Sequence, residues 1–346
     1  ENRSDGHLWW IVLQGAYCRG YCNLRMSGIR RYVVWIAYDG SRFPEMAKGG
    51  TGMGVMDLFQ QVLSHSLFHP RTCSLPDTAQ FKFSPSSRTD AGVHALRSSV
   101  VLQLPESMRI LEGNENEKES LLSEWNELSD LSVRGGLTFR DVHKVSAGFC
   151  IRRHVEYRRY TYRLAVRRQP VDQSLLLQPS LYCFSERNYA WLLPSGFNSE
   201  KAQEAAQLFE GVHCMASFFK HTAREKRLEL DTPNTMKRML RLYVDRGDYY
   251  EADNDLYDYY NVTVISRSFL REQIRRIVSC IVRYAYGTMK KDQILWLLRN
   301  PNSTHFHDMR VPISPPNGLF LTDVVYNANH FVHPIPYFKH GWDYDS

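Results

Sequence analysis

No apolar run in these 346 residues approaches the roughly 18 needed to cross a bilayer. No membrane partner is therefore expected. There is no G-x-S-x-G elbow, no P-loop, and no G-x-G-x-x-G opening a helix after a strand. Serine-hydrolase, Walker-type and dinucleotide-binding chemistry lose their sequence support. The seven cysteines are odd in number and scattered, which argues against a secreted disulfide framework. Only Cys18 and Cys22 lie close together, and no second Cys or His pair follows at zinc-site spacing. An Asp90–His94 metal pair is conceivable, but two further ligands are not evident, so no metal is expected. Internal repeats of 20–50 residues are also missing.

What is present is a large core's worth of apolar sequence and unevenly placed charge. Hydrophobic residues make up 43% and charged residues 23%, as in globular proteins of one large or two ordinary domains. The net charge of +6 is modest, but its distribution is not. Residues 151–168 carry seven arginines against Glu156 alone. A second basic stretch runs from Lys220 to Arg241 and a third from Arg267 to Arg283, while acidic residues gather at 106–130 and 245–258. One such patch would be a solvated face. Three, interleaved with Tyr and Phe, point to a polyanion such as nucleic acid bound on one side.

The periodicities predict an α+β chain with a mostly antiparallel sheet. Strands are expected at 31–38, 81–83, 98–104, 137–144, 157–166, 236–244 and 259–267, with a last one following Gly318. Helices are expected at 55–68, 119–128, 188–191, 199–209, 269–286 and 291–298, with Ser268 as N-cap of the helix from Phe269. In that helix Leu270, Ile274, Ile277, Val278, Ile281, Val282 and Ala285 form the apolar stripe, bordered by Arg271 and Arg275. In the strand at 157–166, Tyr160, Tyr162, Leu164 and Val166 share one face, with Arg159, Arg163 and Arg167 on the other. Organisation is expected as a leader at 1–25, either targeting or poorly ordered, then subdomains at 27–148 and 149–330 and a tail at 331–346.

The chain is organised around Ser86-Ser87-Arg88-Thr89-Asp90-Ala91-Gly92-Val93-His94, a sharp turn between two strands. Such a turn holds a carboxylate rigidly at a sheet edge. Local chemistry alone favours the plainer reading, in which Asp90 bonds its own backbone. A placed carboxylate is instead a nucleophile or a proton acceptor. Arg88, which stays charged, suits an anion, and a Tyr beside the site suits stacking on a base.

Arg88-Thr89-Asp90-Ala91-Gly92-Val93-His94 resembles, over seven consecutive residues, the catalytic motif of the TruA family of tRNA pseudouridine synthases. Further matches follow in order: Tyr38-Asp39-Gly40, Arg159-Tyr160-Thr161-Tyr162, Phe269 to Val278 with Arg275, and Pro315-Pro316-Asn317-Gly318-Leu319. Together they span about 30–327. Three segments depart from the family pattern. Ser41-Arg42-Phe43-Pro44-Glu45 stands where Gly-Trp is usual, a loss shared with an animal branch of the family. Phe149-Cys150-Ile151-Arg152 replaces F-H/D-A-R, and Ser279 replaces a Gly.

The resemblance implies a pseudouridine synthase fold. In it, two α/β subdomains of RRM or ferredoxin-like topology share the sheet, with helices on the outer face and a central basic cleft. It implies isomerisation of uridine to pseudouridine in tRNA or another structured RNA, with no cofactor and no metal, by a homodimer. Asp90 would be the essential carboxylate, Tyr160 would stack on the base, and Arg275 would pair with Asp90. Arg88, His94, Arg152, Arg159 and Arg271 would contact RNA. The compartment would be mitochondrial or cytoplasmic. The alternative is an RNA-binding protein of the same fold without turnover.

Overall fold

A computed structural model describes residues 28–46, 52–68, 81–111, 115–132, 135–168, 186–221, 235–247 and 257–336. The expected leader, the Cys18–Cys22 pair and the basic residues Arg224, Lys226 and Arg227 lie outside these. Among the described residues one ten-stranded sheet runs in the order β4-β1-β3-β10-β5-β9-β8-β7, with β2 paired to β3 and β6 to β5. The strands are β1 (Ile29–Tyr38), β2 (Lys82–Pro85), β3 (His94–Pro105), β4 (Leu137–Val145), β5 (Val155–Arg167), β6 (Trp191–Leu193), β7 (Gly211–Cys214), β8 (Met236–Arg246), β9 (Tyr257–Ser266) and β10 (Leu319–Tyr326). Among them β10–β3 and β5–β6 pair in parallel and the rest antiparallel, so the expected α+β class with a mostly antiparallel sheet holds.

β1 shows why the sheet needs covering on both faces. Every residue from Tyr32 to Tyr38 is buried, so the run is apolar without alternation. Helices α1 (Val55–Phe68) and α2 (Glu115–Asp130) cover this half. Phe59 of α1 stacks on Phe139 of β4 at 5.6 Å, and the buried Trp125 of α2 donates to Ser66 Oγ at 3.0 Å. Full burial of a side chain like Phe59 contributes about 2–3 kcal/mol. A short helix α7 (Asn329–Val332) follows β10 and sets Phe331 against Trp35 and Phe149.

The other half carries α3 (Ser199–Gln207), α4 (Gln273–Ala285), α5 (Lys291–Arg299) and the one-turn α6 (His305–Asp308). The stripe Ile274, Ile277, Val278, Ile281, Val282 and Ala285 of α4 is buried as its spacing requires. Two expectations fail here. The helix begins at Gln273, four residues after Phe269. Glu272 takes a left-handed backbone (φ 62°), and Gln273 Oε1 accepts the Leu270 N–H at 2.8 Å, so 269–272 is a side-chain-braced turn. Ser268 therefore caps nothing, and its hydroxyl accepts from Lys237 Nζ at 3.0 Å. The helix expected at 188–191 is a turn running into β6, because Trp191–Leu193 pairs alongside Leu164–Val166 of β5.

β10 decides where the site lies. It enters between β3 and β5, pairing Phe320 with His94 and Leu321 with both Ala95 and Tyr160. The end of the described chain thus welds the half that carries Asp90 to the half that carries Tyr160.

Candidate active site

The turn from Ser86 to Val93 closes at this seam. The Val93 N–H donates to the Asp90 carbonyl at 3.2 Å. Gly92 has φ of 78°, and a Cβ there would meet Pro316 Cγ at 3.0 Å, so a glycine is required twice over. From below, Gly40 presses so close that a Cβ on it would lie 2.1 Å from the Val93 carbonyl oxygen. Tyr38 Oη and Thr89 Oγ1 are 2.8 Å apart, and Ser87 Oγ lies 3.3 Å from Tyr160 Oη. The turn is bound on every side except the one that faces the cleft.

That cleft has a volume of about 940 Å³. Asp90 sits in it partly exposed, its Oδ2 3.3 Å from Arg275 Nη1 and its Oδ1 3.9 Å from Arg271 Nε. Arg88, Arg152 and Arg158 add positive charge to the walls, and Pro44, Glu45 and Met46 close the rim. The rim is the segment where Gly-Trp is replaced. Burial raises the Tyr160 pKa, the nearby Asp90 carboxylate adds to this, and Ser87 and Arg158 only partly oppose it. Tyr160 thus offers a neutral ring and hydroxyl at neutral pH. Phe269 meets the ring edge-on at 5.1 Å.

Arg275 is fixed from behind. Its Nε donates to the Ser314 carbonyl at 2.7 Å. The Ser314 N–H donates to Ser279 Oγ at 2.7 Å, and both serine hydroxyls donate to the Arg275 carbonyl at 2.9 Å. Ser279 is the residue that departs from the family's usual Gly, and here it locks the loop of Ser314 onto α4. Replacing Ser279 with Ala strands the buried Ser314 N–H, a loss of about 1–3 kcal/mol. The expected result is a lower urea midpoint, read by equilibrium unfolding. An unaltered midpoint would deny the Ser279–Ser314 contact any part in holding this loop onto α4.

Six of the eight expected site residues meet at this cleft: Asp90, Tyr160, Arg275, Arg88, Arg152 and Arg271. Two do not. Arg159 is exposed on the opposite face of β5. His94 is buried beneath the turn, where its Nδ1 accepts the Gly40 N–H at 3.1 Å and its Nε2 donates to the Asn188 carbonyl at 2.9 Å. It stacks on Phe320 at 4.6 Å, so it braces the fold instead of facing the cleft.

Burial lowers the His94 pKa, outweighing the pull of Asp39 at 3.1 Å. The unfolded chain then takes up this proton more readily than the folded one. Stability from His94 is complete above about pH 6.5, the unfolded value, and is lost as pH falls through the lower folded value. Urea midpoints of the wild type should drop between pH 7.5 and 5.5, and the drop should shrink in His94→Gln. Equal drops in both would refute the assignment.

Arg158 is the residue sequence reasoning passed over. It is buried, donates to the Ser86 carbonyl at 2.6 Å and to the Arg267 carbonyl, and lines the cleft. Its even number, shared with Tyr160, put it on the cleft face from the start. Among the described residues, no group of three His, Cys, Asp or Glu side chains is placed to hold a metal ion.

The cleft thus sets one carboxylate between two arginines, beside an aromatic ring and further positive charge. A family model described as tRNA pseudouridine synthase matches residues 205–327. The chain is 27% identical over 306 residues to human tRNA pseudouridine synthase-like 1, covering 86% of this chain and 90% of the human one. It is 25% identical over 312 residues to the Xenopus laevis protein of the same name, covering 87% and 93% of the two chains. It is 26% identical over 293 residues to tRNA pseudouridine synthase A of Pseudothermotoga lettingae, covering 85% and 98%. Over most of its length the chain is thus similar to proteins named tRNA pseudouridine synthase.

Proposed function

We propose that this protein isomerises uridine to pseudouridine in tRNA, with Asp90 as the essential carboxylate. The observation that carries the reading is the Asp90–Arg275 pair at 3.3 Å on the floor of a cation-lined cleft. The N1–C1′ bond breaks, the uracil turns, and a C5–C1′ bond forms. The proton lost from C5 is matched by one gained at N1, so the product is an isomer and no redox partner is consumed. Asp90 either attacks C1′ or removes the C2′ proton, and both routes need it ionised. Arg275, with Arg271 behind it, holds the carboxylate in position. The uracil must leave its stack to reach Asp90, and Arg88 at the rim is placed to hold the vacated strand. Tyr160 offers its ring to the flipped base. The reading includes two RRM-like halves and a homodimer whose clefts draw on both subunits.

The test is tritium release from tRNA labelled at uridine C5. Release by the wild type is the expected result, and no release from any tRNA pool would sink the proposal. A silent RNA-binding protein would instead bind tRNA tightly and release nothing.

A further inference from the structure

A second cavity, of about 190 Å³, lies on the far side of the turn that opens α4. Its walls include Lys220, His221, Glu272, Arg276 and His307. Glu272 lines both this cavity and the catalytic cleft. The Lys220 N–H donates to the Arg271 carbonyl at 3.0 Å, and Arg271 is the residue that reaches Asp90. The two spaces are therefore one residue apart along the chain.

Among the described residues the charge in the second cavity does not balance. Arg276 is only 1% exposed. Its Nη2 donates to Glu272 Oε2 at 3.1 Å and to His307 Nε2 at 3.3 Å, and the guanidinium lies over the Phe306 ring at 5.0 Å. Its Nε and Nη1 have no hydrogen-bond partner. Lys220 Nζ lies 3.4 Å from the other Glu272 oxygen. Two cations thus share one carboxylate, leaving one positive charge over. The His307 ring accepts a hydrogen bond from Arg276 at Nε2. Buried donors without partners are costly, and a ligand is one of the ordinary ways they are satisfied. Glu272 itself is held in a left-handed backbone, φ 62°, which a non-glycine residue adopts at a cost of about 1–2 kcal/mol.

We propose that this cavity is a phosphate site that takes one phosphodiester of the bound RNA strand, beside the nucleotide held at Asp90. The single negative charge of a phosphodiester matches the single excess positive charge. Arg276 and Lys220 supply donors, and the Glu272 carboxylate occupies the place in part until the strand arrives. The proposal rests on the RNA reading above, while the cavity can be probed without RNA.

The full-length protein is titrated with inorganic phosphate while the imidazole signals of His221 and His307 are followed by NMR. Both should shift saturably. Lys220→Ala, at an exposed position that folding tolerates, should weaken phosphate roughly tenfold. Glu272→Gln should tighten it, because the competing carboxylate is gone. With tRNA, the slope of log affinity against log salt should be shallower by about 0.7–0.9 in Lys220→Ala, the signature of one lost phosphate contact. No imidazole response, or an unchanged phosphate affinity in Lys220→Ala, overturns the site. An imidazole response with an unchanged salt slope shows a pocket for free anions and overturns its assignment to RNA. Wild-type protein that responds to phosphate but binds no tRNA defeats the RNA reading itself, a separate result.

Discussion

Asp90→Asn should abolish tritium release, lowering turnover by roughly 10⁴-fold or more, while tRNA affinity holds or improves. The substitution is nearly isosteric, so Arg275 and Arg271 keep a polar neighbour and the turn keeps its shape. What disappears is a charge and the ability to attack or to take a proton. A side chain that performs the chemical step itself has no substitute in the cleft, and losses of this size are typical, roughly 5–6 kcal/mol of barrier. Affinity moves the other way because removing a carboxylate from a phosphate-binding cleft removes repulsion. Single-turnover assays with binding measured in parallel separate the two effects. Residual turnover within tenfold of the wild type would show that Asp90 is not the reacting carboxylate.

Gly40→Ala should be nearly as damaging by an entirely different route. Its methyl would lie 2.1 Å from the Val93 oxygen and 2.5 Å from the Val93 carbon, both backbone atoms that no rotamer can move aside. Either β1 retreats or the turn rises, and in both cases the Gly40 N–H leaves His94 Nδ1. Overpacking of this kind costs about 3 kcal/mol. The expected outcome is a markedly lower urea midpoint and, in the folded fraction, turnover reduced at least tenfold through displacement of Asp90. Preserved stability and turnover would mean that the floor beneath the turn is soft. Gly40 touches no substrate in this reading, so its effect should appear equally with every tRNA.

The sequence made the chemistry more legible than its support. Asp90, Tyr160 and Arg275 are separated widely in the chain, and only the order of motifs suggested they would meet. Residue types alone left Asp90 a turn residue. His94 misled because it ends the motif, and an imidazole next to a catalytic turn reads as a contact. Its true partners, Gly40 and Asn188, come from other parts of the chain and carry no local signal. Arg159 drew attention through charge, while Arg158, one position earlier, had the parity of Tyr160 and the buried role. The late start of α4 was hidden because a left-handed glutamate has no sequence signature, whereas glycine there would have announced it. β6 was hidden because its strand conformation comes from β5 alongside it.

The insertion of β10 between β3 and β5 also sets an order of events during synthesis. The carboxylate is translated early, yet the strand that seats its turn, and the Pro316 that packs on Gly92, are among the last described residues to appear. Until they emerge, the two halves have no common strand and Arg275 has no Ser314 to hold it. A nascent chain without β10 would therefore carry Asp90, Tyr160 and Arg275 and, on the proposed reading, still be inert. Long-range pairings of this kind also slow folding. On the proposed reading, competence therefore waits for β10 to enter between β3 and β5.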